Sequence, residues 1–149
     1  MFTTVYESPM GPLYIAESDG AITHLVFEPL PGEQGLTPLL RRAAEQLTAY
    51  FDGSLRQFDL PLNPKGTEFQ TRVWRTLQTI PYGETWSYKR LAEAAGSPRG
   101  YRAVGLANNR NPISIFIPCH RVVGSGGALT GYGGGLDKKA YLLELEGLV

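Results

Sequence analysis

Along the first quarter of the chain, apolar and polar positions alternate in short runs. Thr3 to Tyr6, Leu13 to Glu17 and Ala21 to Phe27 hold β-branched and aromatic residues, separated by Pro9-Met10-Gly11-Pro12 and Ser18-Asp19-Gly20. Runs of this kind bounded by glycine, proline and aspartate predict three strands, the last two joined by a hairpin. The period then changes. Leu40, Ala43, Leu47 and Tyr50 recur at three- and four-residue intervals, which predicts a helix with one apolar face, closed by Asp52-Gly53. Nothing in this half gathers reactive side chains, and His24 in a strand reads as structural.

Two prolines and a glycine between Leu60 and Gly66 predict a boundary, with residues 1–63 on one side and 64–149 on the other. Beyond it the pattern is helical. Thr67 and Gln70 have capping-box spacing, and Phe69, Val73, Leu77 and Ile80 form an apolar face that stops at Pro81-Tyr82-Gly83. Ser87 is placed to cap a second helix, with Tyr88, Leu91, Ala92 and Ala95 on one side and Gly96 at its end. After Ser97-Pro98 a third helix is predicted over 99–109, its middle made of small residues, Ala103-Val104-Gly105-Leu106-Ala107. Helix, short turn and helix with basic residues is the pattern of a helix-turn-helix. Small residues allow close approach, either to a nucleic-acid groove or to another helix. A last helix is predicted from Asp137, carrying Tyr141, Leu142, Leu145 and Glu146 and ended by Gly147. The fold class is therefore α+β: a small sheet with a helix, then a mostly helical half containing a helix-turn-helix.

With 149 residues and 42% apolar side chains the chain can bury a sizeable core. No apolar run approaches the length of a membrane span and no basic-then-apolar signal pattern opens the sequence, so a cytoplasmic protein with no membrane partner is expected. The single cysteine forms no internal disulfide, and two histidines without close ligand spacing predict no structural metal. Net charge is zero, yet its distribution is uneven. Residues 1–63 hold eight acidic and three basic side chains, whereas from Trp86 to Arg121 only Glu93 opposes Lys89, Arg90, Arg99, Arg102, Arg110 and Arg121. The second half thus carries an electropositive surface of the kind that faces a polyanion.

The densest chemistry lies in Ile115-Phe116-Ile117-Pro118-Cys119-His120-Arg121-Val122-Val123. An apolar, strand-like run ends at a proline, followed by a thiol, an imidazole and a guanidinium. A lone cysteine after apolar residues is commonly a core residue. Here the rigid proline and the titratable neighbour favour a nucleophile, whose thiolate an adjacent histidine or arginine would stabilise. The glycine-rich segments 124–127 and 131–135 flank Tyr132 and make a loop placed to line a pocket. They lack the lysine and serine of a phosphate loop.

From Thr67 to Gly147 the sequence resembles the O6-alkylguanine-DNA alkyltransferases, through Tyr82-Gly83-Glu84, Ser87-Tyr88, Arg102-Ala103-Val104-Gly105, Asn111-Pro112, Ile117-Pro118-Cys119-His120-Arg121-Val122 and Leu142 to Gly147. The N-terminal half resembles the family in outline only. The resemblance implies a ribonuclease H-like N-terminal domain and a winged-helix-like C-terminal domain. It further implies repair by direct reversal: one irreversible transfer of an alkyl group from O6-alkylguanine, or O4-alkylthymine, in duplex DNA to Cys119, with no cofactor. By the same resemblance His120 acts as base through a water, Glu146 orients it, Asn111 positions the cysteine turn and the Tyr88 hydroxyl donates to a ring nitrogen of the leaving guanine. The nucleotide is flipped out, Arg102 fills the gap, and Lys89, Ser97 and Ser125 meet the backbone. Val122, Tyr132 and Gly133 line the substrate pocket. The implied state is a monomer that can bind DNA cooperatively. Two departures stand out: Gly133 occupies a place where the family often has serine, and the N-terminal half lacks the zinc ligands of some members. A sensor of alkylated bases without transfer activity would not need Cys119, and a cysteine hydrolase would leave Arg102 without a role.

Overall fold

A computed structural model describes residues 1–148. The three predicted strands are present, the first two slightly longer than expected and the third ending one residue earlier: β1 (Phe2–Ser8), β2 (Gly11–Ser18) and β3 (Ala21–Val26) form an antiparallel meander. Unpredicted is β4 (Glu33–Gln34), a two-residue strand pairing parallel to β1 and completing the order β3-β2-β1-β4. Leu13, Ile15, Ile22 and Leu25 point to the core from the sheet. They meet Leu40, Ala43, Leu47 and Tyr50, the predicted buried stripe of α1 (Pro38–Phe51). Thr37 caps that helix by accepting from the Leu40 amide, and Asp52 ends it.

The free edge of β3 does not face solvent. Ile22 donates to the Pro61 carbonyl and accepts from the Asn63 amide, both at 2.8 Å, while Leu25 donates to the Pro112 carbonyl and accepts from the Ser114 amide, both at 3.0 Å. An exposed edge strand is a template for pairing with other chains. Here it holds both the interdomain segment and the residues that lead to Cys119, so the two halves share one continuous core.

The second half holds α2 (Glu68–Leu77), α3 (Tyr88–Ala94), α4 (Tyr101–Asn109) and α5 (Leu136–Leu145). Both arms of the Thr67–Gln70 capping box form, and Ser87 caps α3. Helix boundaries differ from those predicted, with Ala95 and Glu146 standing as the C-caps of α3 and α5. α2 ends at Leu77, its last apolar position Ile80 lying in the following turn, and α4 begins at Tyr101 because Gly100 stands at its N-cap. Trp74 packs against the C-terminal half of α4, and the Tyr88 ring lies where a Cβ on Gly105 would meet it at 3.5 Å. The Trp74 indole is almost fully buried and donates to the Ala107 carbonyl at 2.8 Å, and its ring lies where a Cβ on Gly66 would meet it at 2.5 Å. Val104 and Ala107 pack inward, whereas Tyr101, Arg102, Ala103 and Leu106 face out. A short parallel pair, β5 (Trp86–Ser87) with β6 (Val122–Val123), ties the start of α3 to the residues after the cysteine turn.

Candidate active site

The segment 115–117 is not the strand its composition predicts. Ile115 takes the left-handed backbone, φ +71°, which a β-branched side chain adopts only when its surroundings impose it. Asn111 supplies part of that constraint: its side-chain amide donates to the Ile117 carbonyl at 2.9 Å and the Ile113 carbonyl at 3.4 Å, and its oxygen accepts from the Ile113 amide at 3.0 Å. The chain then enters a single tight helical turn, Cys119–Arg121, behind Pro118.

Cys119 is buried, 5% exposed. Burial pushes its thiol above the ordinary range, against a smaller downward pull from Asn111, the Lys139 charge and Ser114. Arg121, one of the two neighbours expected to stabilise the thiolate, does not serve it: its guanidinium points away, donating from Nε to Glu146 Oε1 at 2.8 Å, from Nη2 to Oε2 at 3.1 Å and from Nη1 to the Ile80 carbonyl at 2.7 Å. The resting group is a thiol, and reaction requires a base.

His120 is fully buried and bonds through Nε2 to Glu146 Oε2 at 2.8 Å. Burial would raise the Glu146 carboxyl, but the bonds and charges of His120 and Arg121 overcome it and bring the group down to about 2. An ionised carboxylate only accepts, so Nε2 must carry the proton and Nδ1 of the neutral ring must present a lone pair. Burial lowers the His120 pKa despite Glu146, which keeps the ring neutral. Nδ1 itself is buried and has no protein partner among the described residues.

Cys119 opens onto a cavity of about 20 Å³ lined by Asn108, Asn109, Asn111, Ser114, Gly131, Tyr132 and Gly133. That is room for about one water molecule. Beside it lies an open groove of about 960 Å³, lined by Tyr88, Lys89, Tyr101, Arg102 and Ser125 among others and by no carboxylate. Asn109 and Gly131 line both, and a Cβ on Gly131 would sit 2.8 Å from the Asn109 amide, so these two residues form the partition. Tyr88 stands on the groove side. Its hydroxyl accepts from Thr130 Oγ1 at 3.0 Å and reaches the Thr130 carbonyl only at 3.5 Å.

Of the expected site residues, Cys119, Asn111, Tyr132 and Gly133 share the small cavity, while Tyr88, Lys89, Arg102 and Ser125 share the groove. Ser97 lies apart from the groove lining and accepts from Arg72 at 3.2 Å. Val122 does not line the cavity, because its side chain is fully buried and its carbonyl is taken by Lys139. Two further groups, not among the expected residues, belong to the site. Lys139 is a fully buried ammonium bonded at 2.6 Å to the carbonyls of Val122 and Thr130, brought down to about 8 by burial against the opposing influence of Cys119. Tyr50, from the half that seemed to hold no reactive groups, donates to Glu146 Oε2 at 2.6 Å. Both had a signal: Tyr50 is a phenol on a buried stripe, and Lys139 shares helical spacing with Leu142, Leu143 and Glu146.

A buried thiol beside an imidazole held by a fixed carboxylate, mounted on a helix-turn-helix, defines a protein of the nucleophilic-cysteine class. Sequence comparison then gives the family. Residues 1–64 match the family model of the 6-O-methylguanine DNA methyltransferase ribonuclease-like domain, and residues 68–148 that of the 6-O-methylguanine DNA methyltransferase DNA binding domain. The chain is 52% identical to a methylated-DNA–protein-cysteine methyltransferase of Methanosarcina barkeri, covering 98% of this chain and 97% of that protein. Its identity to the protein of the same name from Mycolicibacterium paratuberculosis is 54%, over 94% of this chain and 88% of the relative. The crystal structure of Mycobacterium tuberculosis OGT in complex with DNA superposes with a TM-score of 0.91 at 47% identity, over 98% of this chain and 92% of that one. The chain belongs to the 6-O-methylguanine DNA methyltransferase family.

Proposed function

We propose that this protein repairs DNA by direct reversal, moving the alkyl group of O6-alkylguanine, and of O4-alkylthymine, irreversibly to Cys119. The observation that carries this reading is the unpartnered lone pair of His120 Nδ1 in the residue next to the only cysteine. A water between them takes the thiol proton toward Nδ1. The sulfur attacks the alkyl carbon, the carbon–O6 bond breaks, and its electron pair passes to the purine. Tyr88, whose proton is only loosely engaged by Thr130, donates to a ring nitrogen as that charge develops. The thioether has no route back to thiol, so each chain acts once. Titrating protein into excess O6-methylguanine duplex should stop at one methyl per chain; continued turnover would favour the hydrolase-like reading.

In this account residues 1–63 brace the site and 64–149 bind DNA and accept the alkyl group. The protein acts in the cytoplasm as a monomer that can load cooperatively on DNA; no helix among the described residues is long and apolar enough to cross a membrane. The duplex occupies the groove of α3 and α4, and the damaged nucleotide turns out toward the thiol. A purine exceeds the 20 Å³ available, so the Asn109–Gly131 partition gives way on entry. Ser125, with Lys89, meets the phosphates, and Ser97 joins them by exchanging Arg72 for the backbone. Tyr132 and Gly133 then border the base, with the Val122 backbone behind them. A Cβ on Gly133 would touch nothing within 4 Å, so the missing serine leaves space there.

Arg102 is exposed on α4 and, among the described residues, is in no ion pair. It fills the gap in the stack, where flipping costs a few kcal/mol. Arg102→Ala should therefore slow transfer from duplex DNA about 10- to 100-fold, for a loss of ~1.4–2.7 kcal/mol, and leave transfer from a single strand nearly unchanged. Rapid-quench kinetics on the two substrates decide this; equal slowing of both would remove the plug.

A further inference from the structure

We infer that Tyr50, on the N-terminal helix α1, is a positioning residue for the transfer reaction: its hydroxyl fixes the Glu146 oxygen that holds His120 and thereby sets the basicity of that imidazole. The inference rests on the function proposed above. Glu146 Oε2 accepts from three donors, Tyr50 at 2.6 Å, His120 at 2.8 Å and Arg121 at 3.1 Å. Oε1 accepts from Arg121 at 2.8 Å and from the Gly83 amide at 3.4 Å. Tyr50 is the only one of these donors that comes from the N-terminal half, and its bond is the shortest.

The phenol is fully buried and its ring packs between Phe51, Phe58 and Tyr82 at centroid distances of 5.4, 5.2 and 6.3 Å. Burial and the Glu146 charge hold its proton on, so it donates at every working pH. Each donor on Oε2 draws charge from the same oxygen. Without Tyr50 the carboxylate would be free to turn and would bind the His120 proton more strongly, loosening the hold on the imidazole and raising the imidazolium pKa, so that the neutral base is lost at a higher pH on the acid side. The other groups facing this cluster are Arg121 in the cysteine turn, Lys139 on α5, Cys119, and the Tyr82 and Tyr132 phenols, with the Arg56 guanidinium over the Tyr82 ring at 5.3 Å. Arg121 and Lys139 both depress His120, and neither is touched by a change at position 50.

Tyr50→Phe keeps the ring and its three aromatic neighbours and deletes only the donor. In single-turnover transfer from an O6-methylguanine duplex by the full chain, the rate at pH 7 should fall about 10-fold, the lower end for losing a partner that orients a reacting group. The acid limb of the rate profile should move up by about one pH unit, the effect of one hydrogen bond on a charged pair. Placing 3-fluorotyrosine at position 50, a stronger donor that preserves the fold, should move that limb down. A purely structural Tyr50 would lower the melting temperature and scale the rate equally at every pH, and that result would overturn the inference. The reading of function fails separately, if the wild-type chain transfers no methyl group.

Discussion

Cys119→Ala should transfer no alkyl group, yet still bind an O6-methylguanine duplex with an affinity close to that of the wild type. The chain holds one cysteine, so no second thiol can substitute. The residues lining the groove, including Lys89, Arg102 and Ser125, are separate from the sulfur and are left intact. Removing the buried sulfur empties a position already beside a water-sized cavity, so the fold tolerates the change. Gel-shift titration and a methyl-transfer assay on the same preparation check both halves of the prediction. Residual transfer would move the acceptor to another side chain, and loss of binding would mean that the sulfur helps hold the lesion.

Glu146→Gln should have the largest effect on stability. The carboxylate is buried and ionised and receives donors from Tyr50, His120, Arg121 and Gly83. A carboxamide has the same shape, but one of its two acceptors becomes a donor that faces other donors. It also leaves the Arg121 guanidinium buried without a counter-charge. Breaking a buried pair from one side costs about 3–5 kcal/mol, a fall of roughly 10 °C in melting temperature for a chain of this size. Transfer should slow as well, because His120 loses the acceptor that fixes its tautomer.

The acid dependence follows from the same group. Glu146 lies at about 2 in the fold against 4.5 as a free carboxyl. Its contribution, on the order of 3 kcal/mol, is fully present above pH 4.5 and is lost as the pH falls toward 2. The lowered His120 adds to this from pH 6.5 downward, since the unfolded ring takes up a proton that the folded one resists. Urea denaturation between pH 7 and pH 3 should show a steep loss in the wild type and a flatter one in Glu146→Gln. Parallel curves would show that the carboxylate is not ionised in the fold.

Local patterns carried most of the fold. The stripe of Leu40, Ala43, Leu47 and Tyr50 and the caps at Thr67 and Ser87 act within a few residues, so they are legible before any tertiary contact forms. β4 and the β5–β6 pair were not legible, because strands of two residues have no periodicity and exist only through partners distant in sequence. The turn at Ile115 defeated the composition rule for a related reason: three apolar residues read as a strand until Asn111 and the edge of β3 impose a bend.

At the site, neighbours in sequence misled where side-chain direction mattered. Arg121 is two residues from Cys119 but serves Glu146, on the far side of His120. Tyr50 is remote in sequence and meets the same carboxylate. The candidate nucleophile was legible from Pro118, His120 and the absence of any other cysteine, whereas the geometry around it is assembled from α1, the cysteine turn and the end of α5.

The most direct test is to mix the protein with an equimolar O6-methylguanine duplex, digest it and weigh the peptide that contains Cys119. That peptide should gain one methyl group on the cysteine, with the lesion converted to guanine. An unmodified Cys119 peptide beside an intact, protein-bound lesion would contradict transfer to Cys119 and leave a protein that recognises damage without repairing it.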